Sequence, residues 1–232
     1  MNTVLIIFLV VVILISIFVV TKYYNPDYLI RQSKSLLTKS SRESIPADSL
    51  DIPGSTRYYY ECWLHINGNA PIYSTNVLFN RGKDMIVALT GSTLNIYVNA
   101  IAGTGVNTDG LLDLSGGLKP IASISDFPFQ KWTQLVIYVD GMSMDIYLDG
   151  KLIKNVKNST AINVTADAAI TYGNKYTDGK ITRFRRPAES TNPQKVWNSF
   201  MMGSGENRSI SDYHLTAEIT KNKKKRVEQQ LF

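Results

Sequence analysis

The sequence has few of the residues from which disulfide scaffolds, metal sites and nucleophilic sites are built. Cys62 is the single cysteine among 232 residues, so the chain has no internal disulfide and a reducing compartment is sufficient for it. The two histidines, His65 and His214, have no cysteine or aspartate at the spacing of a metal site or a catalytic triad. His65 lies within a predicted strand, where we expect a structural role. Zinc binding and nucleophilic catalysis therefore have no support in the sequence.

The start of the chain lacks charge. Residues 4–20 read VLIIFLVVVILISIFVV, with one serine and no charged side chain. A bilayer core about 30 Å thick requires roughly 17–25 apolar residues in a helix. We therefore predict a transmembrane anchor over residues 1–21, with Val4, Leu5 and Val20 within it. A cleaved signal peptide would need a basic start, a shorter apolar stretch and a small-residue cleavage site, and a buried helix of a soluble domain would need a polar face.

Basic residues follow the apolar run but do not precede it: Lys22, Arg31, Lys34, Lys39 and Arg42. Because basic flanks remain in the cytosol, the bulk of the chain is predicted on the cytosolic side, with a short N-terminal stub across the membrane. Three glycosylation sequons begin at Asn158, Asn163 and Asn207. With this orientation they carry no sugar, and glycans on them would reverse it.

Positive charge is concentrated at the two ends of the chain. Residues 1–42 and 221–232 each carry a net charge of +4, whereas residues 43–220 carry −2. Basic clusters near a membrane attract anionic headgroups by about 1 kcal/mol per residue, and they also attract acidic protein surfaces. The predicted lipid or partner contacts are Arg31, Lys34, Lys221, Lys223, Lys224, Lys225 and Arg226. A solvated C-terminal tail is the alternative, and no nucleic-acid partner is expected because no aromatic residues interleave the basic run.

Residues 22–53 are predicted to join the anchor to a domain. Asn25-Pro26 is typical of a helix start, and apolar residues at 29, 30, 36 and 37 fall on one helical face. We therefore predict a basic amphipathic helix over 26–39 that lies near the headgroups, or else a continuation of the membrane helix. Residues 40–53 are rich in Ser, Asp and Pro, which indicates a linker.

From about Gly54 the apolar residues recur with period two, which is typical of strands. Predicted strands cover 58–66, 77–79, 85–89 and 94–98, and residues 132–156 form the clearest hairpin unit, with turns at Asp140-Gly141 and Asp149-Gly150. One helix is predicted to open at Asn192-Pro193. Many short strands with glycine-rich turns predict a mainly β antiparallel sandwich over 54–205, followed by a basic tail over 206–232.

Two segments of this region resemble concanavalin A-like, laminin-G-type jelly rolls. Trp132 followed by LVIYVDG at 135–141 is similar to the "W-x-h-v-v-v-d-g" signature of these domains, and DIYLDGKL at 145–152 is similar to "l-x-v-Y-v-d/n-G-k-l". Gly179 to Arg185 resembles the final strand, and Pro193 to Gly203 the closing helix. With an N-terminal membrane helix, the arrangement resembles virion and minor capsid proteins of large eukaryotic DNA viruses.

The resemblance implies a fold that hosts both glucanases and lectins. Glucanases of this fold carry Glu-x-Asp-x-(x)-Glu on one strand, because retaining hydrolysis needs two carboxyl groups about 5–5.5 Å apart. The chain lacks this motif, so we expect no enzymatic activity. Lectins of this fold use rim-loop Asp and Asn, often with Ca²⁺. The loop 102–110 offers Asn107 and Asp109 as weak sugar-binding candidates, with Ca²⁺ as a possible ligand; no other cofactor is expected.

Two functions remain open. The first is structural: a single-pass minor capsid protein that links an internal viral membrane to the capsid shell, with its domain on the cytosol-derived face and other virion proteins as partners. The alternative is a membrane-anchored lectin-like protein that binds glycans on an outer surface. Missing catalytic groups, basic flanks and the predicted orientation favour the first.

Overall fold

The structure is a computed structural model that describes residues 3–24, 28–100, 105–205, 216–221 and 224–230, with side chains over 8–18, 28–100 and 105–205. Its helices are α1 (Thr3–Tyr24), a short 3-10 helix (Ala47–Ser49) and α2 (Pro193–Met201). The strands are β1 (Lys34–Ser35), β2 (Glu43–Ile45), β3 (Arg57–Asn69), β4 (Thr75–Arg81), β5 (Met85–Thr90), β6 (Thr93–Val98), β7 (Gly105–Val106), β8 (Leu112–Asp113), β9 (Ala122–Ile124), β10 (Trp132–Asp140), β11 (Ser143–Leu148), β12 (Lys151–Lys157), β13 (Ile170–Tyr172), β14 (Thr177–Arg185), β15 (Thr216–Lys221) and β16 (Lys224–Gln230).

Two six-stranded antiparallel sheets form the domain. The first has the order β1-β14-β3-β10-β11-β12, and the second has the order β2-β13-β4-β5-β6-β9. One continuous apolar core contains side chains from both sheets, among them Leu64, Ile137 and Phe184 from the first and Leu78 and Leu89 from the second. The predicted mainly β antiparallel sandwich is confirmed.

The predicted hairpin unit is confirmed, because its turns are encoded locally. β10 pairs with β11 from Leu135 opposite Leu148 to Asp140 opposite Ser143. At the second turn Asp149 and Gly150 have φ values of +48° and +78°. This left-handed pair is the geometry of a tight hairpin, which glycine adopts freely and aspartate tolerates.

Helix α2 begins where the sequence predicts. The Asn192 side chain caps the helix by accepting a hydrogen bond from the Lys195 backbone N–H at 2.8 Å, and proline occupies the first turn. One face of the helix lies on the outer surface of the first sheet. The Phe200 ring stacks on the Trp63 ring of β3, with centroids 5.8 Å apart.

Residues 28–39 are extended, so the predicted amphipathic helix over 26–39 is wrong for this described part; residues 25–27 lie outside it. β1 joins the edge of the first sheet beside β14. Ile30 and Leu36, which a helix would place on its lipid-facing side, are buried in the core. The backbone N–H of Leu36 donates to the Gly179 carbonyl at 2.8 Å. The spacing of the apolar residues alone fits both a helix and an extended segment. The hydrogen bond to Gly179, far along the chain, favours the extended segment.

The predicted linker over 40–53 is also part of the sandwich. β2 pairs with β13 at the edge of the second sheet, and the 3-10 helix follows directly. Ile45 and Leu50 are buried. The chain is therefore attached to both sheets before β3 begins, rather than crossing to the domain as a free connection.

Helix α1 covers the apolar run, including Val4, Leu5 and Val20, whose side chains lie outside the described residues. Described side chains run from Phe8 to Phe18, and all are exposed. Within the part of the chain that the structure describes, no helix is long and apolar enough to cross a membrane.

Candidate functional site

A cleft opens on the outer face of the second sheet. Here the segment with β7 and β8 covers a small apolar cluster that includes Ile86, Tyr97 and Leu112. Beside this cover, a cleft of about 610 Å³ is lined by Ser40, Ser41, Arg42, Asn80, Gly82, Lys83, Ile86, Gly105, Val106, Asn107, Thr108 and Thr171. Among these described lining residues two are cationic and none is acidic. The cleft therefore favours an anionic ligand.

Arg42 is held at the wall of this cleft by three acceptors. Its Nε donates to the Gly173 carbonyl at 2.7 Å, its Nη1 to Asn80 Oδ1 at 2.7 Å and its Nη2 to the Thr171 carbonyl at 3.3 Å. Burial lowers the pKa of the guanidinium to about 10, so it remains cationic at neutral pH. Three of its five N–H groups thus bond to described residues, and an anionic group in the cleft can accept from the other two.

Asn80 fixes the position of Arg42. Its Oδ1 accepts a second hydrogen bond, from Thr171 Oγ1 at 2.8 Å, and its Nδ2 donates to the Gly82 carbonyl at 3.0 Å. The amide is buried at the end of β4 and uses both of its ends within the protein. The guanidinium is therefore preorganised by the fold.

Lys83 supplies the second positive charge from a fixed backbone. Its carbonyl accepts from the Ala100 N–H at 2.9 Å. The neighbouring Asp84 is buried, and its carboxylate accepts from the Thr165 N–H at 2.5 Å and the Thr165 hydroxyl at 2.8 Å. The Lys83 side chain itself is exposed at the rim of the cleft.

The two predicted sugar-loop residues separate in the structure. Asn107 lines the cleft, but its Oδ1 accepts the backbone N–H groups of Asp109 and Leu111 at 3.0 and 2.9 Å and so shapes the loop. The Asp109 carboxylate forms an ion pair with Lys175 at 2.6 Å and does not line the cleft. Asn107 therefore belongs to the candidate site, and Asp109 anchors the loop beside it.

The predicted basic contacts lie elsewhere. Arg31 and Lys34 line a separate cleft of about 700 Å³ at the start of the domain, together with Tyr28 and Tyr172. In the tail, Lys221 pairs with Lys224 in the β15–β16 hairpin. The described residues include the backbone of Lys221, Lys224, Lys225 and Arg226 but not their side chains, and Lys223 lies outside them altogether.

One buried carboxylate lies beneath α2. Glu61 of β3 accepts from Arg185 Nε at 2.8 Å, from Arg185 Nη2 at 2.5 Å and from Gln134 Nε2 at 3.0 Å, and the Ser199 hydroxyl of α2 also donates to it. These bonds neutralise and saturate the carboxylate. The arrangement ties α2 to the first sheet.

His65 lies against Trp132, with ring centroids 5.3 Å apart, which fits the predicted structural role. Across the described ranges there is no group of three or more His, Cys, Asp or Glu side chains placed to hold a metal ion. Calcium binding therefore remains a prediction from the loop's composition.

No family model matches the sequence, and no curated protein matches it either. The fold is similar to the binding domain of botulinum neurotoxin serotype D, with a TM-score of 0.55, 10% identity, and coverage of 74% of this chain and 43% of that one. Two binding-domain structures of botulinum neurotoxin DC, in complex with SialylT and with rat synaptotagmin II, have TM-scores of 0.48, identities of 18% and 19%, and coverage of 64% and 65% of this chain.

The chain spans less than half of each of these neighbours, namely 43%, 36% and 36%. At these identities the likeness to the serotype D domain concerns the fold alone. The chain is thus a β-sandwich of the kind found in a toxin binding domain.

Sequence reasoning missed Arg42 and Asn80 as site residues. Arg42 stands in a serine-rich stretch that predicts a linker, and its acceptors lie 38, 129 and 131 residues further along the chain. Asn80 and Lys83 flank Arg81-Gly82 at the end of β4. Such a polar end to a buried strand is a weak signal for the rim of a cleft. Nothing local in the sequence links these residues to Asn107.

Proposed function

We propose that this chain is a membrane-anchored, non-enzymatic protein that binds an acidic carbohydrate in the cleft beside Arg42. The observation that carries the proposal is the cleft itself, which combines two cations with hydroxyl groups and has no carboxylate among its described lining. Carbohydrate binding is the predicted lectin-like alternative. The β-sandwich fold is compatible with it, but a fold alone does not determine a ligand.

The chemistry of the lining matches the two kinds of group on an acidic sugar. A guanidinium at the wall of the cleft can pair with a carboxylate or sulfate through charge-assisted hydrogen bonds. Ser40, Ser41, Thr108 and Thr171 provide hydroxyls suited to sugar hydroxyls.

The anchor is part of this proposal. Its support comes from the sequence: residues 4–20 form an uncharged apolar run, whereas the described side chains of α1 cover only residues 8–18, a stretch shorter than the roughly 17–25 apolar residues that a bilayer-spanning helix requires. The proposed protein is a single-pass membrane protein with Val4, Leu5 and Val20 in its anchor.

A second candidate function is the structural one: a virion scaffold that links an internal viral membrane to capsid proteins. The observation that favours it is the attachment of residues 28–53 to both sheets, which leaves no long flexible linker between α1 and the sandwich. The basic flank after the apolar run, which predicts a cytosolic domain, also suits it.

The two candidates differ in ligand and in orientation. The purified full chain, in detergent micelles, should be applied to an array on which each sialylated or sulfated glycan is paired with its uncharged parent. We expect binding to the acidic members only. Binding to neither member of the pairs would contradict the carbohydrate proposal. Glycans on Asn158 or Asn163 in the protein from cells would place the sandwich on the exoplasmic side and contradict the scaffold.

A further inference from the structure

The connection between α1 and the sandwich is short. Helix α1 ends at Tyr24, and the described part of the domain begins at Tyr28, so three residues intervene. Four residue steps extend over at most about 14 Å. Whatever surface surrounds Tyr28 is therefore held close to the end of α1, and in a chain anchored by α1 it is held close to the bilayer.

Tyr28 is linked through Arg183 to the residues that follow the C-terminal end of α2. Its ring centroid lies 5.7 Å from the guanidinium carbons of both Arg183 and Arg185. Arg183 in turn donates through Nη1 to the Gly203 carbonyl at 2.5 Å and to the Met202 carbonyl at 3.4 Å. The last turn of α2 is therefore fixed beside the point where the chain arrives from α1.

The outer side of α2 exposes large apolar side chains. Trp197 is 40% exposed and Met201, one turn later, is 61% exposed. Leu152 of the edge strand β12, which is 50% exposed, adds to them because it pairs with Tyr147, whose buried ring belongs to the cluster beneath α2. We name Leu152, Trp197 and Met201 the α2 strip.

The charges on the face of the sheet that carries the strip balance. Lys157 and Asp145 share this face, whereas Lys151 and Lys154 pair with the inward-facing Leu148 and Ile146 and so lie on the opposite face. Lys195 of α2 forms an ion pair with Glu189, with Nζ 3.8 Å from Oε2, so this pair contributes little net charge. An apolar strip with a tryptophan suits the interfacial region of a bilayer, where tryptophan is enriched.

We infer that the α2 strip inserts into the headgroup region of the same membrane that holds α1. This inference rests on the proposed anchor. The bilayer is the occupant that the structure favours, because the three-residue connection keeps this face near lipid whatever else the protein binds. The sandwich then sits on the membrane at two points, α1 and the α2 strip, and has a fixed orientation.

The chain allows a selective test with fluorescent labels. Cys62 is fully buried, and burial raises the pKa of its thiol far above the ordinary value, so an introduced surface cysteine is labelled in its place. Met201→Cys tests the strip. Tyr73→Cys is the matched control, since Tyr73 is 90% exposed and follows the end of β3 remote from Arg185.

Both labelled full-length variants should be reconstituted in vesicles of phosphatidylcholine and phosphatidylserine, with and without a lipid that carries a quencher near the headgroup. We expect the quencher to remove most of the fluorescence at position 201 and little at position 73. Adding Trp197→Glu and Leu152→Glu to the Met201→Cys chain should restore its fluorescence. Circular dichroism and the unfolding midpoint confirm that each variant is folded.

Two failures are distinguishable. If the chain floats with the vesicles but both labels are equally unquenched, the strip does not touch the membrane and this inference is wrong while the anchor stands. The inference is equally wrong if the label at 201 is shielded only after a protein partner is added. If the chain does not float with the vesicles, the anchor itself is wrong, and the inference falls with it.

Discussion

Replacing Arg185 by methionine should destabilise the sandwich strongly, because it leaves a buried carboxylate without its cation. Glu61 is 2% exposed and accepts two hydrogen bonds from this guanidinium. The remaining donors, Gln134 and Ser199, are neutral. Removing one partner of a buried ion pair costs about 3–5 kcal/mol, because the other charge stays desolvated. The side chain of Arg185 is 17% exposed, so water reaches part of the pair and we expect about 3 kcal/mol.

The assay is urea unfolding of the full chain in detergent micelles, followed by tryptophan fluorescence. The midpoint should fall while the denaturant slope stays constant, which identifies a change of stability alone. Adding Glu61→Gln to Arg185→Met should recover most of the loss, because the uncompensated charge is then gone and the coupling energy of the pair becomes measurable. The matched control is Arg57→Met, which breaks an exposed pair with Asp140 and should change the midpoint little.

A loss below about 1 kcal/mol for Arg185→Met, or no recovery in the double variant, would refute this reasoning. Either result would mean that the Glu61 carboxylate does not depend on Arg185 for its compensation. The outcome also bears on α2, since the Ser199 hydroxyl joins that helix to Glu61.

Two further predictions use the same unfolding assay, and a third uses titration of the chain with an acidic glycan. Gly150→Ala should lower the free energy of unfolding by about 2–4 kcal/mol, because φ is +78° and a Cβ there would lie 2.8 Å from the Trp197 indole. The control is Gly141→Ala, at φ +60° with open space around it, which should cost only about 1–2 kcal/mol. Equal losses of stability in the two variants would contradict the steric argument. Asn192→Ala removes the cap of α2 and should cost about 0.5–2 kcal/mol in the same assay, whereas an unchanged midpoint would show that the cap is dispensable. In a Lys83→Gln chain, affinity for an acidic glycan should fall as the pH rises through about 10, because burial lowers the pKa of Arg42 to about 10, and a flat profile would contradict this lowered pKa.

The features that could be predicted from the sequence are those whose causes are local. The hairpin turns follow from Asp140-Gly141 and Asp149-Gly150, where positive φ is required within two residues. Helix α2 follows from Asn192 and the proline after it, since cap and first turn are neighbours in the chain. In both cases the partner that fixes the geometry lies within a few residues, so one sequence is enough.

The features that sequence reasoning missed depend on partners far along the chain. The apolar spacing of residues 29–37 fits a helix, but the Leu36 N–H finds its acceptor at Gly179 in β14. The prediction of a linker around Arg42 is wrong for the same reason. Asp109 stands in a loop whose composition is typical of a sugar-binding loop. Its ion pair with Lys175 is visible only in three dimensions.

The central claim, an acidic carbohydrate bound beside Arg42, is tested most directly by calorimetric titration of the full chain with the best acidic glycan from the array. Lys83→Glu places a negative charge on the rim of the cleft, and Lys157→Glu makes the same change on β12 of the other sheet. We expect Lys83→Glu to abolish measurable binding and Lys157→Glu to leave the affinity of the unmodified chain unchanged. Equal affinity for all three proteins would contradict the claim.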